Sequence, residues 1–303
     1  MKGLNTSSVA ILFLVLGNFF ASLSDVAIKL LDGGVSPWQY VFVRQCLSAL
    51  ILFPWWLKLS SDKQKLTGFK VTLARSQLVL IGSGCMMVAV TYLPLATANA
   101  VIYAAPLLML PLSLFLLGER PTLLKTIATS IGFIGVLIVL RPSQFHWAAL
   151  FALGTATTLA LFNILVRKIP NEQPVIATLF WTSLLSLPIA GLGALMTWQP
   201  MSIKELGWIC SSAVLILSYN GLAVLAYKRA QATQIALAEY SGLVFVAIFG
   251  VVWFNEIPDA FTIIGILLIL LPILPWKHPR YWKVGKRLLT STKTTVRKTE
   301  EHH

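Results

Sequence analysis

Charge is what this 303-residue chain has least of: Asp, Glu, Lys and Arg make up only 12% of it, against roughly a quarter of a soluble protein. With 57% hydrophobic residues and a mean hydropathy of +0.79, the composition excludes a soluble globular domain and points to an integral membrane protein. Cysteine is scarce too. Cys46, Cys85 and Cys210 lie far apart inside apolar stretches with no CxxC, which excludes a disulfide framework or a redox pair. The four histidines (146, 278, 302 and 303) all fall outside the apolar runs, so no metal site is expected. There is no P-loop, HExxH or GxSxG and no intramembrane pair of aspartates. The expectation is therefore no cofactor, no metal and no enzymatic activity.

What the chain does contain is long apolar runs. Ten are read, at 9–31, 36–57, 76–93, 96–118, 122–140, 147–167, 174–196, 206–227, 232–254 and 260–276. Each has 17 residues or more, enough to cross about 30 Å of hydrocarbon as a helix. Barrel strands alternate polar and apolar residues, so unbroken runs of this length exclude a β-barrel. The first run has the length of a signal-peptide core but continues through Val26-Ala27-Ile28, and it is read as a retained span.

The formal charge of +13 invites a nucleic-acid reading, which its distribution rejects. With ten spans and a cytoplasmic N-terminus, twenty of the 24 Lys and Arg fall on the inner side. Only Arg141 and Lys204 fall outside, while Lys29 and Arg44 lie within apolar runs. This positive-inside bias places both termini in the cytoplasm of, by expectation, a bacterial inner membrane. The basic tail, 280–303, either frays or lies on anionic lipid.

The second half of the chain echoes the first. Tyr103, Glu119-Arg120-Pro121 and Arg141-Pro142 return as Tyr240, Glu256-Ile257-Pro258 and His278-Pro279 at an offset of 137. At an offset of 138, Asp25 falls on Asn163 and Lys29 on Arg167. The expected organisation is two five-span repeats, 1–142 and 143–279. An odd number of crossings makes the second copy inverted, the architecture of secondary transporters with a midplane site. Asn99 becomes Ala236 and Ile102 becomes Glu239, breaks in the symmetry where substrate choice is expected to reside.

Polar groups inside these runs are the candidate site. Asn18, Ser22, Asp25 and Lys29 share one stripe of the first segment. An isolated carboxylate there must face a partner or a hydrated cavity. Lys29, at i+4, is the nearest candidate, and Asp25–Lys29 is either a structural pair or part of a substrate or gate contact. Arg44 in the second segment either pairs with Asp25, closing the outer side, or holds a substrate carboxylate. Glu239, well inside the ninth segment beside Tyr240, either binds a cationic group, carries a coupled proton or bonds neutrally between helices. Tyr103 and Asn99 share a face of the fourth segment, Tyr219 and Asn220 lie mid-way along the eighth, and Asn163 is well inside the sixth. Glu119 and Glu256, at helix junctions, are expected to be mostly structural.

Taken together, Leu95–Pro106 leading to Gly118-Glu119, Ala232–Leu243 leading to Asn255-Glu256, and Ser24–Lys29 followed by Arg44 resemble the drug/metabolite transporter superfamily, and within it the EamA-type family. The resemblance covers residues 9 to about 276. It implies an all-α protein of ten transmembrane helices around a central cavity. By position, Asn18, Asp25, Asn99, Tyr103, Asn163, Tyr219, Asn220, Glu239 and Tyr240 would line that cavity, with Asp25, Lys29 and Arg44 as a gating set. It also implies alternating access for a small polar or zwitterionic metabolite such as an amino acid, an amine or an S-adenosylmethionine-like molecule. The expected partners are that solute, the bilayer and a coupling ion such as H+, with no nucleic acid. The competing class is a membrane scaffold without solute flux, or an embedded enzyme acting on a lipid-borne substrate.

Overall fold

Long apolar segments without internal partners satisfy their backbone polar groups by coiling into helices, and the elements among the described residues are all helices. The computed structural model describes residues 6–105, 107–108, 111–112, 115, 123–140, 146–166, 169, 173–227, 238 and 241–270. They fall in the unit Met1–Ile273; the second unit, Leu274–His303, lies outside the described residues. In order the helices are α1 (Thr6–Lys29), α2 (Pro37–Leu57), α3 (Ser61–Gln64), α4 (Phe69–Tyr92), α5 (Leu95–Ile102), α6 (Leu123–Leu140), α7 (Ala148–Val166), α8 (Val175–Met196), α9 (Ile203–Tyr227), α10 (Ser241–Phe254) and α11 (Ala260–Leu270). No strand occurs among the described residues. Ser8–Lys29, Pro37–Leu57, Phe69–Tyr92, Val175–Met196 and Ile203–Ala223 are long and apolar enough to cross a membrane. Ser130–Val139, Ala148–Phe162, Ser241–Phe254 and Ala260–Leu270 are shorter apolar helices.

The surface is inside out relative to a soluble protein. Leu195, Met196, Leu50 and Val252 are exposed, whereas Asn18, Gln39, Gln45, Asn99 and Ser212 are buried. Apolar side chains lose nothing by facing acyl chains, while polar groups gain only by finding one another inside.

Local signals set the helix ends. Ser36 caps α2 by accepting the Gln39 N–H at 3.1 Å, and Pro37 follows where no donor is missed. Asp259 accepts the Thr262 N–H at 2.9 Å at the start of α11. At the end of α10 the chain turns through Asn255, whose φ of 53° is one that Asn tolerates better than most residues. That turn aims Glu256 back into the bundle.

The helices pack in pairs drawn from distant parts of the chain: α1 against α9 and α10, α4 against α7 and α8, α2 against α8 and α9, α5 against α7 and α10, and α6 against α11. Polar contacts pin several of these. Gln45 Nε2 donates to Ser186 Oγ at 3.0 Å between α2 and α8. Gln39 and Gln199 exchange side-chain and backbone hydrogen bonds at 3.0 and 3.1 Å. Trp56 stacks on Phe180 with ring centroids 4.7 Å apart, and Trp181 Nε1 donates to Gln64 O at 2.9 Å. Helices α6 and α11 cross so closely that a Cβ on Gly265 would lie 2.7 Å from the Gly135 carbonyl oxygen.

Candidate functional site

One face of α1 carries the polar stripe through the bundle, and the partners of that stripe come from α5, from α10 and from residues just outside its two ends. Asn18 Nδ2 donates to Ala238 O at 2.8 Å and to Ser241 Oγ at 3.3 Å. Ser22 Oγ donates to Asn18 O at 2.8 Å and reaches Gly242 O at 3.3 Å. Tyr103, the C-cap of α5, presses its hydroxyl against Gly242. Asn18 and Tyr103, far apart in sequence, thus meet at one glycine. Tyr219 packs on Gly17, where a Cβ would lie 3.3 Å from its Cδ2.

The Gly242 contact has a measurable consequence. A Cβ there would fall on the Tyr103 hydroxyl and 2.7 Å from its Cζ. Gly242→Ala is expected to destabilise the purified protein by about 1–3 kcal/mol through overpacking. Adding Tyr103→Leu should recover most of the loss, because it removes the clashing ring tip. A thermal melt of both variants in detergent checks this, and equal melting temperatures for the single and double variants would refute the contact.

Above this cluster Asp25 is buried, with the Asn99 side-chain amide beside its carboxylate. The same amide reaches Leu95 O at 3.2 Å. Behind α1, Ser24, Ser212 and Tyr40 form a hydroxyl chain with spacings of 2.7 and 3.0 Å. Sequence reading missed this chain, since lone serines in apolar helices usually bond to their own backbone.

The ion pairing differs from expectation. Lys29 does not pair with Asp25; its Nζ lies 2.6 Å from Glu256 Oε1 and donates to Leu93 O at 2.7 Å. Glu256 Oε2 in turn accepts the Leu95 N–H at 2.7 Å, at the first turn of α5. There the helix dipole also favours a negative charge. The ring of Phe254 lies 5.3 Å from the ammonium. Lys29 is the last residue of α1, so its side chain leans past the helix end toward the α4–α5 junction rather than back along its own face. One ion pair therefore joins the end of α1, that junction and the turn after α10. Glu256, read as a helix-junction acid, is part of it.

Arg44 does not pair with Asp25 either. Among the described residues it donates to Ser83 Oγ and lies 5.5 Å from the Tyr40 ring. Helix α4 begins at Phe69 rather than near Ser76, and this carries Arg75, counted in sequence as a loop charge, into the bundle. Asn220 is half-buried on α9. Asn163 lies on α7, but its side chain is outside the described residues, as are Glu239, Tyr240 and Glu119. No group of His, Cys, Asp and Glu fit to hold a metal ion occurs among the described residues.

An all-helical bundle with an apolar exterior and a buried, carboxylate-bearing polar seam is a membrane protein built to handle polar groups away from water. The chain belongs to the EamA-like transporter family, which matches residues 8–141 and again 146–274. It is similar to the S-adenosylmethionine uptake transporter of Rickettsia bellii, 27% identical over 272 residues covering 88% of this chain and 92% of that one. It is also similar to the pseudopaline exporter CntI of Pseudomonas aeruginosa, 24% identical over 267 residues covering 86% and 92%. A chain of known crystal structure shares the fold at a TM-score of 0.64 and 18% identity, covering 88% of this chain and 95% of that one. The protein is accordingly a multi-pass membrane transporter of small molecules, and not an enzyme.

Proposed function

We propose that this protein is a secondary transporter that moves a small zwitterionic metabolite across a bacterial inner membrane by alternating access between two inverted halves, 1–142 and 143–279. The observation that carries the reading is Asp25: a buried carboxylate that, among the described residues, has an amide for a partner and no basic side chain. Such a group inside a membrane is a place for a cationic part of a solute.

The halves are supported by the packing. Exchanging the first five apolar segments with the second five turns α1/α9 into α4/α7, α1/α10 into α5/α7, and α4/α8 into α2/α9. The pairs α2/α8, α5/α10 and α6/α11 map onto themselves. The two family matches divide the chain at nearly the same point. With the termini cytoplasmic, the Lys29–Glu256 pair lies at the outer end of the bundle and acts as an outer gate, closed in this conformation.

The relatives named for S-adenosylmethionine and pseudopaline support a charged, organic solute. S-adenosylmethionine itself carries cationic and carboxylate groups. Being named for uptake in one case and export in the other, they leave both directions open to the same architecture. The test is uptake by proteoliposomes of the purified protein with labelled S-adenosylmethionine and L-amino acids, preceded by a thermal-shift screen of the same compounds. A reproducible stabilising hit with matching flux is expected. Absence of flux for every stabilising compound would sink the reading.

Glu239 is the proposed proton carrier. Glu239→Gln is expected to abolish pH-gradient-driven uptake in proteoliposomes while leaving substrate exchange in place, because exchange needs no net proton movement. Gradient-driven uptake at the wild-type rate would remove Glu239 from this role.

A further inference from the structure

We propose that Arg75, braced by Phe162, is the subsite for the carboxylate of the transported molecule, used when the site faces the cytoplasm. This rests on the transport reading above and names the anionic group that Asp25 cannot serve. Arg75 is the seventh residue of α4 and is 3% exposed. Among the described residues its Nε and Nη1 have no hydrogen-bond partner. The acids described inside the bundle are engaged elsewhere, Asp25 with Asn99 and Glu256 with Lys29. The guanidinium carbon instead lies 4.0 Å from the centroid of the Phe162 ring.

That contact fixes the cation without neutralising it. A cation–π contact offsets only part of the cost of a desolvated guanidinium, which ordinarily calls for an anion with matching hydrogen bonds. An aromatic ring against the guanidinium face leaves the in-plane N–H edges free, and those edges fit a planar carboxylate. The backbone holds the pair in register. A Cβ on Gly82 would lie 2.6 Å from Thr158 Oγ1, so α4 and α7 touch there, and Phe162 follows one turn further along α7.

The position also separates the two charge-reading residues. From the helix starts, Arg75 lies roughly 9 Å along α4 and Asp25 roughly 29 Å along α1 at 1.5 Å per residue. In the proposed topology both helices rise from the cytoplasmic side, so the anionic subsite belongs to the inner half and the cationic one to the outer half. A small zwitterion then meets them in succession.

The test uses the full-length protein in dodecylmaltoside and two probes that differ by one group, S-adenosylmethionine and its decarboxylated form. Affinities are read from ligand-dependent melting shifts. Wild type is expected to bind the carboxylate form at least about tenfold more tightly, as a desolvated charge contact implies. Arg75→Gln should erase that preference while leaving affinity for the decarboxylated probe unchanged, and Arg75→Lys should keep part of it. Without ligand, Arg75→Gln should melt at or above the wild-type temperature, because it removes an unpaired buried charge.

A fall of several degrees in the unliganded melt, or an equal loss of affinity for both probes, means Arg75 is structural and overturns the proposal. A shift of wild type but not Arg75→Gln by phosphatidylglycerol, with no preference between the probes, makes the site a lipid contact and overturns it as well. If wild type binds neither probe, the substrate class proposed above fails, and the unliganded melt, which needs no ligand, still judges Arg75.

Discussion

Glu256→Gln should slow transport by roughly ten- to hundredfold while leaving the protein folded. The Gln keeps its amide oxygen for the Leu95 N–H but loses the ion pair to Lys29, two contacts that Glu256 makes at 2.7 and 2.6 Å. A charge-assisted hydrogen bond contributes about 1.5–3 kcal/mol, and about 1.4 kcal/mol is tenfold in an equilibrium or a rate. If the pair is an outer gate, that energy is withdrawn from the outward-closed conformation alone, so its population falls by the same factor.

Two measurements read this together: initial uptake in proteoliposomes, and labelling of Ser22→Cys by an impermeant maleimide from the outer side. Native Cys46, Cys85 and Cys210, all partly accessible, are first replaced by Ala. Labelling should rise as uptake falls. Lys29→Gln should match Glu256→Gln, and the double variant should be no worse than either, as for two partners of one interaction. The charge-swapped pair should not recover, since a Lys at 256 offers no acceptor to the Leu95 N–H. Unchanged labelling in all of these would show that the pair ties helices together without gating.

Asp25→Ala should abolish uptake altogether, and Asp25→Asn should nearly do so, without loss of fold. In most proteins removing a buried charged group destabilises because a partner is stranded. Here the partner among the described residues is the Asn99 amide, which keeps its contact with Leu95 O. The melting temperature of Asp25→Asn should therefore stay at or above that of wild type. Binding of a cationic probe such as S-adenosylmethionine should weaken by at least about tenfold, the scale of a lost desolvated charge contact. The split between stability and binding is the diagnostic. A large drop in melting temperature with binding intact would make Asp25 a structural residue.

Much of this was legible in the chain. The scarcity of charge and the length of the apolar runs announced a membrane protein, because embedding depends on the local transfer of each segment from water. Asn18, Asp25 and Asn99 stood out for the same reason: a polar residue in a run that lipid would reject has to be accommodated inside. The family resemblance, carried by Leu95–Pro106, Ala232–Leu243 and Ser24–Lys29, led to the family that the chain matches across both halves.

The partners were not legible. Helical spacing suggested Lys29 for Asp25, since residues four apart share a face, yet Lys29 ends its helix and reaches a carboxylate from the opposite half of the chain. Arg75 read as a loop charge because hydropathy falls off before the helix does. The helix begins at Phe69, and a guanidinium on the inner face of α4 is buried by α7 whatever its hydropathy.

The sequence by itself determined that this protein lives in a bilayer as a set of apolar helices, and which polar residues the bilayer would force inward. Those follow from the transfer cost of each segment, a property of neighbours along the chain. Only the tertiary structure decided that Lys29 closes on Glu256, that Asn99 attends Asp25, that Tyr103 meets Asn18 at Gly242, and that Arg75 rests on a ring with its Nε and Nη1 unanswered among the described residues. Each of these depends on where two helices from distant parts of the chain cross, and no spacing within one segment encodes that crossing.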